Sequence, residues 1–498
     1  MSRDAPARTA PEDKVPVVQK LGYGLGTFHD MWGHWLYPGM AYQVFNIYLG
    51  VSPALIARAL FINRLFDAVS DPFFGWASDN TRTRFGRRRP YILVGSTLAG
   101  IALPFLFFVE PGWSEIAYFW FMLASSAVFI PLMSCFYMPY QSLGAELTPD
   151  YHERTSVFSF RFAIQKFPEL ALMFGAQFTT LAVWAGATQT PLLGRLKSLF
   201  TSAAAWKPAV DQKPDILLGA QVYLALLGAL MVLAGIGLFA LTRERYYGKL
   251  ASNQEKISIR DTLGKALSCR PFRLQLVMNI TFQMGTSMVG TLGYYDTVYY
   301  VCNGDVARGA AWNTGMGISG MVLGFIGIPV FGAVARSVGK IKAMVSVFVV
   351  AIAVYVGSWW LYDPAHPALQ LAASGFIAFI NAGFNMLEGS IGADVMDYDE
   401  LDTRKRREGA FSACKSWIMK FGMALGALAS GEILAGTGFD AKLGAAQSPH
   451  ALFMIRFLLA AVPIAGLTLA ILAISRLSLT EEKMQDVRRR LEERRGTV

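Results

Sequence analysis

The chain has 498 residues, 54% of them hydrophobic and 16% charged, with a formal net charge of +10. That is too apolar for a water-soluble globular protein, and the apolar residues come in long runs, so a bilayer is the expected solvent. Four cysteines (Cys135, Cys269, Cys302 and Cys414) show no metal-ligand spacing, and neither a disulfide nor a zinc site is expected. The first twenty residues are polar, hold three prolines and lack the apolar core of a secretory signal. Hydropathy then predicts twelve spans: 22–49, 55–78, 91–109, 117–143, 157–186, 217–241, 272–301, 311–335, 343–362, 368–393, 409–436 and 451–475.

The second span carries charge. Arg64, Asp67 and Asp71 are spaced i, i+3 and i+7, one stripe on a helix. Ionised groups at bilayer depth cost roughly 2.5–3.5 kcal/mol each, so they face a bundle interior or a watery cavity. Two carboxylates against one arginine leave surplus negative charge, which suits a partly dehydrated cation. Mutual pairing among helices is the structural alternative.

The loops fix an expected topology. Arg82, Arg84, Arg87, Arg88 and Arg89 crowd the loop after span two; further clusters follow spans six, eight and ten, and both tails are basic. The intervening loops Gly50–Ala54, Glu110–Glu115 and Asp363–Pro367 hold no Lys or Arg. The positive-inside rule places both termini in the cytoplasm. The +10 charge is thereby a topology signal, and no nucleic-acid partner is expected. The long outer loop Ala187–Ile216 breaks the pattern; its LLGRLKSLF piece predicts a short interfacial helix anchored by Trp206. In the central linker, Ile257–Leu267 reads as an amphipathic surface helix, and Thr480–Arg495 as a solvated one.

The halves repeat weakly. Gly75 and Asp79, then Arg84, Gly86 and Arg87, follow span two; Gly332 and Arg336, then Gly339 and Lys340, follow span eight. Such repeats point to a transporter working by alternating access. The expected organisation is an N-terminal tail (1–21), a six-helix bundle (22–241), a cytoplasmic linker (242–271), a second six-helix bundle (272–475) and a C-terminal tail (476–498).

GxxxDxxxxRxGRR after span two is the loop signature of the major facilitator superfamily. RLFDAVSDPFFGW before it resembles the glycoside–pentoside–hexuronide:cation symporters, the melibiose-permease-like family. Tyr137-Met-Pro139-Tyr140, Arg161, and the run from Asp394 through Asp397 and Tyr398 to Glu400 fit the same family, as does Lys420 on span eleven. The resemblance implies an all-α membrane protein of twelve transmembrane helices in two six-helix bundles, sited in the cytoplasmic (inner) membrane.

It also implies roles. Asp67 and Asp71 fall on the family's cation carboxylates, and Ser70 and Ser134 on positions that add oxygen. Sodium is the expected ion, since hard cations take oxygen ligands, with a proton as the runner-up. Arg64 would hold Asp67, and Lys420 would balance the aspartates when the ion leaves. Asp30 and Arg161 fall on sugar-binding positions, with His29 beside them. The family pattern breaks at Tyr137 and Gln141, which stand where an aspartate and a tryptophan are usual. Tyr137, Tyr140, Gln141, Trp32 and Trp35 are the expected substitutes for ring stacking and hydroxyl contacts. Lys415 and Glu388 face the cavity or pair structurally. Lys166 and Glu169 pair with each other, and His34 is a hydrogen-bonding histidine. Asp394, Asp397 and Arg406 complete the cytoplasmic motif.

The expected function is cation-coupled symport of a glycoside, oligosaccharide or sugar acid. An excess of positive groups (His29 if protonated, Arg161 and Lys415) hints at an anionic sugar such as a uronide. The alternatives are a lysolipid transporter of the related lipid-transporting branch and a non-transporting sensor of the same fold. No nucleophile–base pair, metal cluster or phosphate loop suggests an enzyme, and no cofactor beyond the coupling ion is expected.

Overall fold

Twelve long helical runs carry the described residues, whose only extended pairing is a single bridge between Ala185 and Pro214. The computed structural model describes residues 14–81, 83–148, 151–185, 192–207, 214–244, 267–403 and 408–495. The first run, α1, covers 17–48 and passes through two π-helical stretches, Trp32–Leu36 and Tyr42–Tyr48. Then come α2 (Pro53–Asn80), α3 (Arg89–Ala102), α4 (Glu115–Glu146), α5 (Tyr151–Phe178) and α6 (Ile216–Leu241). The second set is α7 (Arg270–Tyr295), α8 (Val306–Val338), α9 (Lys340–Leu361), α10 (Leu369–Thr403), α11 (Glu408–Gly436) and α12 (Pro449–Ser475).

Each run overlaps one predicted span. The largest differences are at α5, which stops at Phe178, and α10, which continues to Thr403. After Phe178 the Thr179 and Thr180 hydroxyls bond back to Ala176 O, and Trp184 Nε1 donates to Phe178 O at 2.7 Å, turning the chain. The added turns of α10 are charged, so hydropathy cannot see them although they remain good helix formers.

Eight of these helices contain a window apolar enough to cross a bilayer; α1, α2, α5 and α7 do not. Those four carry Asp30 (α1), Asp67 and Asp71 (α2), Arg161 (α5), and Gln275 and Asn279 (α7), all buried. Their low hydropathy has the same cause as their interest: polar groups are tolerated there only on a protein-facing side.

The chain divides into two compact units, Met1–Glu255 and Lys256–Val498. In the N-terminal unit α2 packs on α4, α3 on α4 and α6, and α1 on α5 and α6. In the C-terminal unit α8 packs on α10, α9 on α10 and α12, and α7 on α11 and α12. Adding six to each helix number converts the first set into the second. A faint repeat in sequence is thus a clear repeat in packing.

Two surface features depart from expectation. A final helix, α13 (Glu481–Arg495), forms where a solvated helix is expected, but it buries Met484, Val487 and Leu491 in the C-terminal core. Those residues lie at i, i+3 and i+7, one apolar stripe among charges. The Ile257–Leu267 helix lies almost wholly outside the described residues. The outer-loop helix is present as Leu192–Thr201, and Trp206 Nε1 donates to Leu199 O at 2.7 Å.

The loop between α2 and α3 is locked by an acid that sequence reasoning passed over. The Glu244 carboxylate, just beyond α6, accepts from the backbone N–H groups of Arg87, Arg88 and Arg89 at 2.8–3.0 Å. It caps the start of α3, where N–H groups lack helical partners. Gly86 is required twice over: its φ is +102°, and a Cβ there would meet the Glu244 carboxylate at 2.5 Å. Arg89 adds a bond to Phe239 O at 2.6 Å. Glu244→Ala should therefore cost about 1–2 kcal/mol, the scale of a lost helix cap. Amide hydrogen exchange at Arg87–Arg89 should accelerate; unchanged exchange would show that the carboxylate holds nothing.

Candidate functional site

In the N-terminal unit the buried charges of α1, α2 and α5 are connected. Arg161 Nη2 donates to Asp30 Oδ2 at 2.7 Å, with both residues buried. The guanidinium lies 5.4 Å from the centre of the Tyr140 ring, whose hydroxyl donates to Tyr23 O. Gly26 makes this approach feasible, because a Cβ there would overlap the Tyr140 ring at 2.1 Å. Arg161 Nε has no partner among the described residues. One turn after Asp30, His34 Nδ1 sits 3.0 Å from Asp30 O and 3.7 Å from Asp30 Oδ1. The His34 ring meets Tyr137 edge-on at 4.7 Å. Gln141, one turn beyond Tyr137, is half-buried.

Arg64 joins this cluster to the carboxylate stripe. Its Nη1 donates to Asp67 Oδ2 at 3.1 Å and its Nη2 to His34 O at 3.3 Å. The acceptor carbonyl belongs to the π-helical stretch Trp32–Leu36, a kind of distortion frequent at functional sites. A polar path thus runs Arg161–Asp30–His34–Arg64–Asp67.

Asp71 heads a second chain. Ser134 Oγ donates to Asp71 Oδ1 at 2.7 Å, the Ser70 and Ser134 hydroxyls are 2.7 Å apart, and Ser70 Oγ donates to Phe66 O at 2.9 Å. Three short oxygen–oxygen contacts share two hydroxyl protons. Asn63 Nδ2 donates to Ser126 Oγ at 2.8 Å, a rung with the same 63-residue separation as Asp71–Ser134. The parallel pair α2 and α4 is pinned in register on both sides of Asp67.

The C-terminal unit holds its own buried cluster. Glu388 Oε1 accepts from Gln275 Nε2 at 2.9 Å and Asn279 Nδ2 at 3.0 Å, and Oε2 from Lys415 Nζ at 2.5 Å. Gln275 and Asn279 were legible as amides at i, i+4 in an apolar span and went unread. Lys340 Nζ reaches Asp394 Oδ2 at 2.6 Å, tying the second copy of the loop motif to the Asp394–Glu400 run. Asp397 on α10 and Lys420 on α11 are half-buried.

Several expected residues stand elsewhere. His29 is fully buried and stacks on Phe136 at 4.4 Å, away from the Arg161–Asp30 pair. Trp32 is buried, its Nε1 donating to Pro168 O at 2.9 Å, and it fastens α1 to α5. Successive helical residues point about 100° apart, so the neighbours of Asp30 need not share its face. Trp35 is partly exposed, with the Arg64 guanidinium 5.9 Å from its ring. Lys166 and Glu169 pair at 2.7 Å, as their spacing implies. Gly75 lies on α2, and Arg84 is exposed beside Phe85. Arg406 and the side chain of Asp79 lie outside the described residues.

Residues 22–481 match the family described as MFS/sugar transport protein. An uncharacterised symporter of Synechocystis sp. is 26% identical over 97% of this chain and 98% of its own length. The isoprimeverose transporter of Lactiplantibacillus pentosus is 25% identical over 94% of this chain and 90% of its own. Among solved structures, a bacterial homologue of the human lysosomal transporter Spinster, inward-facing and unoccupied, has a TM-score of 0.66 at 12% identity, covering 96% of this chain and 99% of that one. The helical repeat agrees with that likeness of fold. A match across nearly the whole chain, with symporters as full-length relatives, makes this a multi-pass membrane transporter rather than an enzyme: it belongs to the glycoside–pentoside–hexuronide:cation symporter family of the major facilitator superfamily.

Proposed function

We propose that the protein carries a neutral glycoside into the cell in symport with a cation, across the cytoplasmic membrane, with both termini in the cytoplasm. The observation that carries this reading is the polar path from Arg161–Asp30 through His34 and Arg64 to Asp67. Asp30 Oδ1, not engaged by Arg161, can accept a sugar hydroxyl; Arg161 and Tyr137 can donate to others. A cation that draws Asp67 toward Asp71 changes the hold of Arg64 on α1 beside Asp30. Coupling of this kind is reciprocal: each ligand raises the other's affinity by the same factor.

Sodium is the proposed ion. Two carboxylates with the Ser70 and Ser134 hydroxyls form an all-oxygen set suited to a hard cation. A proton is the second reading, favoured by the three-contact chain at Asp71, which one added proton completes. The solute is neutral because each positive group is already matched: Asp30 with Arg161 and Glu388 with Lys415. His29 is buried away, so the surplus of positive charge behind a uronide disappears. The same buried charges disfavour an apolar lysolipid cargo, which could not compensate their desolvation.

Counterflow in proteoliposomes tests the proposal. A panel of isoprimeverose, melibiose and cellobiose against glucuronate and galacturonate, with and without sodium, should show sodium-stimulated exchange of a neutral disaccharide. Preference for a uronate would reverse the charge argument. Exchange indifferent to both sodium and pH would remove symport itself.

A further inference from the structure

We propose that Glu388, Asn279 and Lys415 form a hydroxyl-binding subsite in the C-terminal unit, for the same class of polyhydroxylated solute. This rests on the symport reading and adds residues to it that no family motif singles out.

The geometry leaves specific capacities open. Glu388, on α10, is 5% exposed, and its carboxylate takes donors from two other helices, α7 and α11. Asn279 is 1% exposed, and its Oδ1 has no hydrogen-bond partner among the described residues. Exchanging the amide oxygen and nitrogen does not help, because it would turn Oδ1 against Glu388 Oε1. A buried acceptor in this position calls for a donor. Lys415 is the most open member, with 29% of its side chain exposed. Its ammonium has three N–H donors, of which Glu388 uses one. The cluster therefore holds an unmet acceptor and spare donors together, with Lys415 as its accessible edge. A sugar hydroxyl donates and accepts at once and meets both needs. The Glu388–Lys415 pair is neutral overall, so it has no call on a free ion. A purely structural clasp would account for the ion pair but not for the open acceptor at Asn279.

The repeat supplies a second, independent argument. Subtracting six from α7, α10 and α11 gives α1, α4 and α5, the helices that carry Asp30, Tyr137 and Arg161. In both units the cation sits on the fifth helix, Arg161 on α5 and Lys415 on α11; its carboxylate comes from α1 in the first unit and from α10 in the second, where α7 supplies amides instead. In each case the helix supplying the polar groups near the N-terminal end of its unit, α1 or α7, falls short of the apolar threshold for a span.

The test is equilibrium binding of isoprimeverose, melibiose and cellobiose to the full-length purified protein in saturating sodium. Asn279→Leu, which keeps the branched shape and removes both the acceptor and the donor to Glu388, should weaken the best-bound disaccharide about tenfold or more, and Lys415→Met by a similar factor. Lys415 is partly exposed, so its variant remains informative if Asn279→Leu fails to fold. The sodium concentration giving half-maximal enhancement should change less than threefold in both, because the candidate cation carboxylates are untouched. Asp30→Asn runs in parallel. Loss of binding in Asp30→Asn with wild-type affinity in both C-terminal variants overturns this subsite and spares the symport reading. A wild type that binds none of the three disaccharides, with or without sodium, overturns both.

Discussion

Asp71→Asn should abolish the sodium enhancement of solute binding while leaving sodium-free affinity within about threefold of wild type. The substitution keeps shape, and the new amide oxygen can still accept from Ser134, which now donates to Asp71 Oδ1 at 2.7 Å. What it removes is one full negative charge from an oxygen cluster. At an effective dielectric near 20, two unit charges about 4 Å apart interact by about 4 kcal/mol. Losing one such interaction lowers sodium affinity roughly 100- to 1,000-fold, beyond ordinary working concentrations. Asp67→Asn should differ in kind. It weakens the ion site and also releases Arg64, whose Nη1 now donates to Asp67 Oδ2. Residual ion binding in that variant should no longer report to the solute. The measurement is calorimetric solute binding titrated with sodium at several pH values. If a proton is the coupling ion, pH takes the place of sodium and Asp71→Asn flattens the pH dependence instead. Full sodium enhancement in Asp71→Asn would make the stripe structural and move the cation to other residues.

Much of this arrangement was legible because membrane burial makes polarity informative. Asp67 and Asp71 stand out in an apolar run, and their helical spacing places them on one face without any structure. The pairing of Lys166 with Glu169 followed from spacing alone. Direction within a helix was harder. Asp30, expected at the solute, is buried and paired with Arg161, while His29 and Trp32 beside it contact Phe136 and Pro168. Nothing local distinguishes the face of a helix buried among other helices from one lining a polar path, and the π-helical stretch at Trp32–Leu36 shifts the phase further. Tertiary partners were harder still. Glu244 lies in a basic linker, and its role depends on a loop more than 150 residues away. The stripe Met484, Val487 and Leu491 was periodic enough to read, but the surrounding charge masked it. Lys415 and Glu388 were legible as cavity-facing or paired groups, but not as each other's partner.

Arg161→Ala should be the most damaging single change in the N-terminal unit, and the double variant Asp30→Asn/Arg161→Gln should separate its two effects. Arg161 Nη2 is the 2.7 Å partner of Asp30 Oδ2, and both groups are buried. Removing one member of a buried pair strands the other charge, at a cost of about 3–5 kcal/mol. Low yield or a large fall in melting temperature is expected for Arg161→Ala. Asp30→Asn alone strands the guanidinium less severely, since Arg161 also lies over the Tyr140 ring. The double variant removes both charges and retains polar groups of similar size, so most of the lost stability should return. Binding should not return with it. A carboxylate accepting solute hydroxyls contributes charge-assisted bonds of roughly 1.5–3 kcal/mol each, and neutral amides replace them only in part. Two such bonds correspond to a loss of at least about 100-fold in affinity. Thermal unfolding and calorimetric binding on the same preparations give both numbers. Stability recovered with binding lost assigns the pair to the solute. Wild-type binding in the stable double variant would make the pair a structural tie between α1 and α5 and move the solute to other residues.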